Sequence, residues 1–315
     1  MTLSYRRRPQ AMTIRLSENF RALFYSPFYA TQATGAFAAA GVEVAMVPSP
    51  SPGAAVAVLR AGDVDVMWGG PLRVMMLHDT EPGCDLVCFC DVVARDPFFI
   101  IGAKPKPDFR FADLLGLRFA TVSEVPTPWI CLQNDLRLAG VDPSTLDRID
   151  DRTMAENEAA LRAGKLDAIQ VFQPYAERLI ASGAGHVWNA AATRGLTAYT
   201  TLVTRRDVLV ERADELQRMT RAIHRTLQWF ATTPALEIAG LLKDYFPDLP
   251  TPLYAACIDR YRALGLWGPD PIIRREGFER LHAAMRASGA LSRDIAFEAC
   301  VDTALAEQVV RPTPA

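Results

Sequence analysis

Trp68, Gly69, Gly70 and Pro71 form the segment of this sequence best suited to contact a small molecule. They directly follow a short apolar run that is typical of a buried strand. Glycines have no side chain, so a ligand can approach the main chain there and accept hydrogen bonds from exposed N–H groups. We therefore predict a ligand-contacting loop at the end of a strand. A tight turn that requires positive φ is the alternative explanation of the two glycines.

A second group of candidate residues follows the first predicted strand, residues 13–17. Asn19 carries both a hydrogen-bond donor and an acceptor, and the rings of Phe24 and Tyr25 have faces on which a flat ligand can stack. We expect these three residues to contact the ligand. Ordinary packing beneath the following helix would explain the rings equally well.

Ser123, Thr127 and Trp129 lie in a segment that is expected to run from a strand through a loop into a helix beginning at Pro128. Either hydroxyl is suited to cap that helix, and the free N–H groups of a helix N-terminus attract an anionic ligand group. Trp129 is expected to contact the ligand.

Residues 59–65 and 161–167 are two copies of one pattern, 102 positions apart. Each copy has Leu-Arg-Ala-Gly, then, after two further residues, an aspartate that leads directly into a buried strand, and then a loop ending in proline. The repeat predicts two related lobes whose loops face one crevice, because ligands of open α/β sheets bind beyond the carboxyl ends of strands. In the second copy this places Gln170, Phe172 and Gln173 at the crevice. Chance is the alternative, because Leu-Arg-Ala-Gly is a common helix ending.

Cys84, Cys88 and Cys90 lie within seven residues, and closely spaced thiolates can bind soft metal ions. Residues 86–93, however, are typical of a strand, in which Cys88 and Cys90 would share one face as small core residues. No histidine follows at a suitable spacing. We therefore expect no metal site, and no cofactor.

The chain has 315 residues, of which 50% are hydrophobic and 22% charged, and its net charge is −2. This composition suffices for two cores and indicates neither a nucleic-acid partner nor insertion into a membrane. No apolar stretch follows the arginines of the first ten residues, so no secretory signal is predicted. The chain as written is expected to be cytoplasmic, or periplasmic if its start is truncated.

Strands alternate with helices over the first two thirds of the chain, which predicts α/β lobes with doubly wound sheets and flanking helices. Residues 13–99 and 200–306 are expected to form lobe 1, which is discontinuous, and residues 100–199 lobe 2. Residues 1–12 and 307–315 are expected to be flexible. The last third of lobe 1 is predicted to be helical.

Residues 19–44, 59–71, 95–102 and 164–177 resemble, in this order and spacing, the NMT1/THI5-like solute-binding proteins of the SsuA type. The resemblance covers residues 13–300. It implies a two-lobed type II periplasmic-binding-protein fold that closes over a small organic ligand, which is delivered to the permease of an ABC importer. The same family includes enzymes of pyrimidine biosynthesis and aromatic-acid decarboxylases.

The candidate residues are mostly aromatic rings, amides and hydroxyls, which favours a planar heteroaromatic or aromatic-acid ligand over a sulfonate or nitrate. A solute-binding protein is the first hypothesis. A cytosolic enzyme of the same fold, such as an aromatic-acid decarboxylase or a pyrimidine-precursor enzyme, is the alternative, and a regulatory sensor is a third. The pyrimidine-forming relatives require a lysine in the first lobe, whereas no lysine precedes Lys104.

Overall fold

The computed structural model describes residues 13–49, 51 and 53–311, and ten strands form two five-stranded sheets within them. The strands are β1 (Ile14–Glu18), β2 (Val44–Pro48), β3 (Val66–Gly69), β4 (Leu86–Val93), β5 (Phe99–Gly102), β6 (Phe119–Ala120), β7 (Arg148–Ile149), β8 (Ala168–Val171), β9 (His186–Ala190) and β10 (Thr200–Arg205). The first sheet has the order β2-β1-β3-β10-β4 and the second β7-β6-β8-β5-β9. We call the part of the chain built on the first sheet the first lobe, and that built on the second sheet the second lobe.

The two sheets have the same topology. In each sheet the second strand of the order pairs in parallel with both of its neighbours, and the fourth strand pairs antiparallel with both of its neighbours. The chain passes from β4 of the first sheet to β5 of the second, and later from β9 of the second sheet back to β10 of the first. The chain therefore crosses between the lobes twice, just before β5 and just before β10.

The repeated aspartate makes the same contacts in both lobes. Asp65 accepts hydrogen bonds from the main-chain N–H of Arg15 (2.8 Å) and from its guanidinium, which also donates to the carbonyl of Gly62. Arg118 and Asp167 repeat this arrangement in the second lobe, with a main-chain bond of 2.9 Å. The repeat therefore marks two equivalent supersecondary units, in which the aspartate joins the helix ending to the neighbouring strand.

Fourteen α-helices cover the described part of the chain. They are α1 (Ser26–Ala33), α2 (Ala36–Ala39), α3 (Ala55–Ala61), α4 (Pro71–Thr80), α5 (Thr127–Leu138), α6 (Met154–Arg162), α7 (Tyr175–Ala181), α8 (Arg206–Glu211), α9 (Ala213–Thr232), α10 (Ala235–Leu241), α11 (Thr251–Ala263), α12 (Arg275–Ser288), α13 (Phe297–Cys300) and α14 (Ala304–Val310). None of the helices described is long and apolar enough to span a membrane. Residues 307–310, expected in a flexible tail, form the end of α14, and residues 1–12 and 312–315 lie outside the described residues.

Arg194 joins the two chain crossings to the second lobe. Its guanidinium donates to Asp96, which precedes β5, over 2.7 Å, and to Asp135 in α5. Asp96 is fully buried and the side chains of Arg194 and Asp135 are 12% and 13% exposed. Burial raises the pKa of Asp96, and the charge of Arg194 acts in the opposite direction. This ion-pair network therefore lies in a largely dry environment at the boundary between the lobes.

Cys88 and Cys90 do not share a face of β4, contrary to the expectation. On β10 the consecutive residues Leu202 and Val203 pair with Cys90 and Cys88, so Phe89 is an extra residue in a β-bulge. Cys90 packs in the main core and Cys88 in a separate core cluster. The expectation failed because a bulge interrupts the two-residue alternation. The two thiols therefore point away from each other.

Candidate functional site

A small cavity with about 40 Å³ of space for water-sized molecules, open on one side, lies between the lobes. Its walls come from the β1–α1 and β3–α4 connections of the first lobe, the β6–α5 connection of the second lobe and the crossing before β10. The lining residues are Asn19, Phe20, Phe24, Tyr25, Gly70, Leu72, Arg73, Val125, Pro126, Thr127, Tyr199 and Thr200. The cavity therefore lies where the repeat predicted a crevice, beyond the carboxyl ends of parallel strands.

The β1–α1 connection supplies an amide and aromatic rings. Asn19 is 7% exposed, and its Oδ1 has no hydrogen-bond partner. Phe24 and Tyr25 form a 3-10 turn in which their rings lie edge to face, with centroids 4.3 Å apart. Burial raises the pKa of the Tyr25 phenol, so this group is neutral and available for hydrogen bonding. All three predicted residues line the cavity, and the free acceptor of Asn19 is suited to a ligand donor.

The β3–α4 connection brings bare main chain to the cavity. Gly70 lines it, and a Cβ added to Gly70 would lie 3.1 Å from the carbonyl oxygen of Tyr199. The φ of Gly70 is −73°, so close packing rather than positive φ explains this glycine. Gly69 is buried in β3, and Pro71 is the first residue of α4.

Trp68 lies outside the cavity wall. Its ring is fully buried and stacks on Phe28, with the centroids 4.5 Å apart and the planes 10° apart. The rings of Tyr25 and Tyr29 pack against it as well. Trp68 thus supports Tyr25, which does line the cavity, from inside the core.

The β6–α5 connection forms the second lobe's part of the wall. Thr127 lines the cavity, whereas Ser123 is exposed and outside it. The prediction that Ser123 or Thr127 caps the helix was wrong, because α5 begins at Thr127 and its cap position is Pro126, which has no side-chain acceptor. Trp129 is half-buried under the guanidinium of Arg148, which lies 4.3 Å from the ring centroid.

The β8–α7 connection is packed into the interior. Gln170 is buried, and its Nε2 donates to the carbonyl of Pro128 in the first turn of α5 over 3.0 Å. The main-chain N–H of Gln173 donates to the Tyr261 hydroxyl, and its Oε1 accepts from the N–H of Glu177. Phe172 packs against other rings of the core. Gln170, Phe172 and Gln173 therefore lie near the crevice without lining the cavity.

Arg73 provides the charge of the cavity and was not anticipated from the sequence. It lies in the first turn of α4, and a Cβ added to Gly53 would be 3.5 Å from its Nη1, so the guanidinium reaches the loop before α3. Among the described lining residues no other side chain is charged. The N-termini of α4 and α5 also meet the cavity, and both add partial positive charge. The site is thus suited to an anionic group.

Six further lining residues were not predicted: Phe20, Leu72, Val125, Pro126, Tyr199 and Thr200. Tyr199 and Thr200 belong to the crossing that enters β10. Their position beside Gly70 follows from the pairing of β10 with β3, which is a long-range contact that sequence patterns do not reveal. A signal for Phe20 was present, since it is adjacent to Asn19 at the end of β1.

Comparison with known proteins agrees with this architecture. "Putative binding protein YtlA" of Bacillus subtilis (strain 168) is 24% identical over 298 residues, which are 94% of this chain and 89% of that protein. The periplasmic aliphatic sulphonate binding protein SsuA from Escherichia coli superposes with a TM-score of 0.74 at 17% identity, covering 91% of this chain and 96% of that one. The ligand binding component of an ABC-type import system from Staphylococcus aureus does so with a TM-score of 0.72 at 13% identity, covering 95% and 99%.

These similarities confirm the predicted two-lobed periplasmic-binding-protein fold. The sequence profile of the NMT1/THI5-like family matches residues 24–236, which is more than half of the chain. The resemblance seen in the four sequence segments is confirmed by this match. The chain belongs to the NMT1/THI5-like family.

Proposed function

We propose that the protein binds a small organic anion with a planar, apolar body in the cavity between its lobes and acts as the solute-binding component of an ABC importer. The observation that carries this proposal is the combination of a single guanidinium, that of Arg73, with four aromatic rings among the twelve lining residues. A ligand that fits must carry negative charge at one end and apolar surface on the rest. An aromatic or heteroaromatic carboxylate has this chemistry.

Charge supports the anionic part of the proposal. Arg73 lies in the first turn of α4, where the helix dipole favours a negative group as well. None of the described lining residues is an aspartate or a glutamate, so the cavity wall itself carries no negative charge. A guanidinium can donate two parallel hydrogen bonds to a carboxylate, which fixes the orientation of a planar acid.

The aromatic walls support the planar part of the proposal. Phe20, Phe24, Tyr25 and Tyr199 line the cavity, and the rings of Phe24 and Tyr199 lie edge to face, with centroids 6.1 Å apart. Burial raises the pKa values of Tyr25 and Tyr199, so both phenols offer neutral hydrogen bonds. The space inside the cavity, about 40 Å³, is smaller than an aromatic acid, so we expect the lobes to separate when such a ligand enters.

Transport is favoured over catalysis by the groups around the cavity. None of the described lining side chains is Cys, His, Lys, Asp or Glu, which carry most nucleophilic and acid–base steps in enzymes. The names of three relatives point in the same direction, since they describe a binding protein, a periplasmic sulphonate binder and a component of an ABC-type import system. A permease is therefore the proposed partner, and the periplasm is the proposed location.

The proposal is tested by titration calorimetry with two matched pairs of compounds, benzoate with benzamide and nicotinate with nicotinamide. We expect the acids to bind and the neutral amides to bind much more weakly. The substitution Arg73→Gln should weaken acid binding by about 10- to 100-fold, because a charge-assisted hydrogen bond contributes about 1.5–3 kcal/mol. The variant Arg60→Gln is the control, since Arg60 pairs with Glu81 on the surface.

Two results would contradict the proposal. The proposal of an anionic ligand would be contradicted if the protein bound the acids and the amides equally well. It would also be contradicted if wild type and Arg73→Gln bound the acids with equal affinity. The proposed role in transport is checked by chromatography of the mixtures after incubation, because consumption of a bound compound would show that the protein is an enzyme.

A further inference from the structure

The loops that follow β3 and β8 occupy corresponding places in the two lobes. Residues 66–69 and 168–171 pair antiparallel with β10 and β5 in the same way, and they pair in parallel with β1 and β6, respectively. The offset of 102 residues makes Phe172 the counterpart of Gly70. One position thus carries no side chain in the first lobe and a phenyl ring in the second.

The two positions have opposite effects on the space between the lobes. Gly70 lines the cavity, whereas none of the described lining residues comes from the β8–α7 connection. The ring of Phe172 is 6% exposed and packs edge to face against Phe24, which lines the cavity, and Phe98, with centroids 5.3 and 5.2 Å away. In the second lobe, the ring of Phe172 therefore fills the space that corresponds to the one left open beside Gly70 in the first lobe.

The chain around Phe172 holds its ring in this place. The neighbouring Gln173 is fully buried, and its N–H donates to the Tyr261 hydroxyl over 3.0 Å. Phe98 belongs to the crossing between the lobes, and its ring lies edge to face with that of Phe172. A ring fixed between the first lobe and the crossing limits how far the cavity extends into the second lobe.

We propose that Phe172 is a specificity-determining residue. Because its ring fills the space in the second lobe that corresponds to the one beside Gly70 and packs against Phe24, it limits the length of the ligand that the cavity accepts. This inference rests on the proposed function, since it concerns the size of the same anionic ligand. A smaller residue at position 172 opens space behind Phe24 and admits longer ligands.

The test uses benzoate, phenylacetate, 3-phenylpropanoate and 4-phenylbutanoate, a series in which the length grows by one methylene at a time. We expect the affinity of the wild-type protein to fall at least tenfold at one step of the series. In Phe172→Ala this fall should move to a longer acid, while benzoate binds within about twofold of wild type. The control is Phe119→Ala, which removes a buried ring from β6 in a core cluster without Phe24. The same cut-off in wild type and Phe172→Ala would overturn the proposal.

A second readout does not depend on the acids. Crystals of Phe172→Ala soaked with iodobenzene should show iodine in the vacated space in contact with Phe24, whereas rings of Phe98 or Tyr175 that close this space would overturn the proposal. If the wild-type protein binds none of the four acids, the proposed function fails and the iodobenzene experiment still decides about Phe172. If the alanine variants do not fold, Phe172→Leu and Phe119→Leu replace them.

Discussion

Asp91 is expected to make the protein less stable as the pH rises, and the substitution Asp91→Asn should remove this dependence. Asp91 lies on β4 and is 5% exposed, and its Oδ1 has no hydrogen-bond partner. Burial, together with the nearby carboxylate of Asp270, raises its pKa from 3.8 to about 8. The folded protein therefore holds a protonated carboxyl at neutral pH, whereas the unfolded chain holds a carboxylate.

The sign and the size of the effect follow from the two pKa values. A group whose pKa is higher in the folded state stabilises that state at low pH, and this contribution is lost between the unfolded value of 3.8 and the folded value of about 8. At 1.36 kcal/mol per pH unit, the free energy of unfolding falls by about 4 kcal/mol between pH 5 and pH 8 through this group. Asparagine has nearly the same shape and cannot ionise, so Asp91→Asn should not show this fall.

The assay is differential scanning calorimetry of both proteins between pH 5 and pH 8.5. The melting temperature of Asp91→Asn relative to wild type should increase over this range, by on the order of 10 °C. Asp63→Asn is the control, because Asp63 is exposed and its substitution should change the melting temperature by the same amount at pH 5 and at pH 8.5. A difference between Asp91→Asn and wild type that stays constant with pH would refute the reasoning, because the carboxyl would then titrate alike in the folded and unfolded states.

Two further predictions concern the cavity wall and the lobe boundary. Gly70→Ala should cost about 1–3 kcal/mol of stability and weaken ligand binding, because the new Cβ would lie 3.1 Å from the carbonyl oxygen of Tyr199. Gly240→Ala, in open space within α10, should instead stabilise by about 0.5–1 kcal/mol, and urea denaturation compares the two. Arg194→Met should lower the free energy of unfolding at pH 7 by about 3–5 kcal/mol, because it leaves the buried carboxylate of Asp96 without its cationic partner. A loss below about 1 kcal/mol would contradict this expectation, and adding Asp96→Asn should recover part of the stability.

The fold was predictable because its signals are local and repeated. The two copies of Leu-Arg-Ala-Gly with a following aspartate predicted two related units, and the same bonds of Asp65 to Arg15 and Asp167 to Arg118 are found in both. The strand predicted at 86–93 is β4. Short apolar runs between glycines and prolines are sufficient to locate strands, since they depend only on nearby residues.

The site was predictable only in part, because a sequence shows where a strand ends but not which way each side chain points. Trp68 follows the predicted strand as expected, yet it faces the core and stacks on Phe28, while Gly70 two residues later meets the cavity. Arg73 had no distinguishing mark among 34 basic residues until α4 was seen to start at the cavity. The bulge at Phe89 likewise depends on the pairing with β10 and leaves no pattern in the sequence.

The two lobes have the same sheet topology, but they place different kinds of side chain at the equivalent positions near the cavity. The first lobe brings Asn19, Gly70 and Arg73 to the cavity. By the pairing of the strands, Val122 takes the place of Asn19 in the second lobe, and Phe172 takes that of Gly70. Apolar side chains at these places can limit the size of a ligand but cannot bind its charge. Substitutions in the first lobe should therefore change which charge is bound, and those at the second lobe's loops should change which sizes fit.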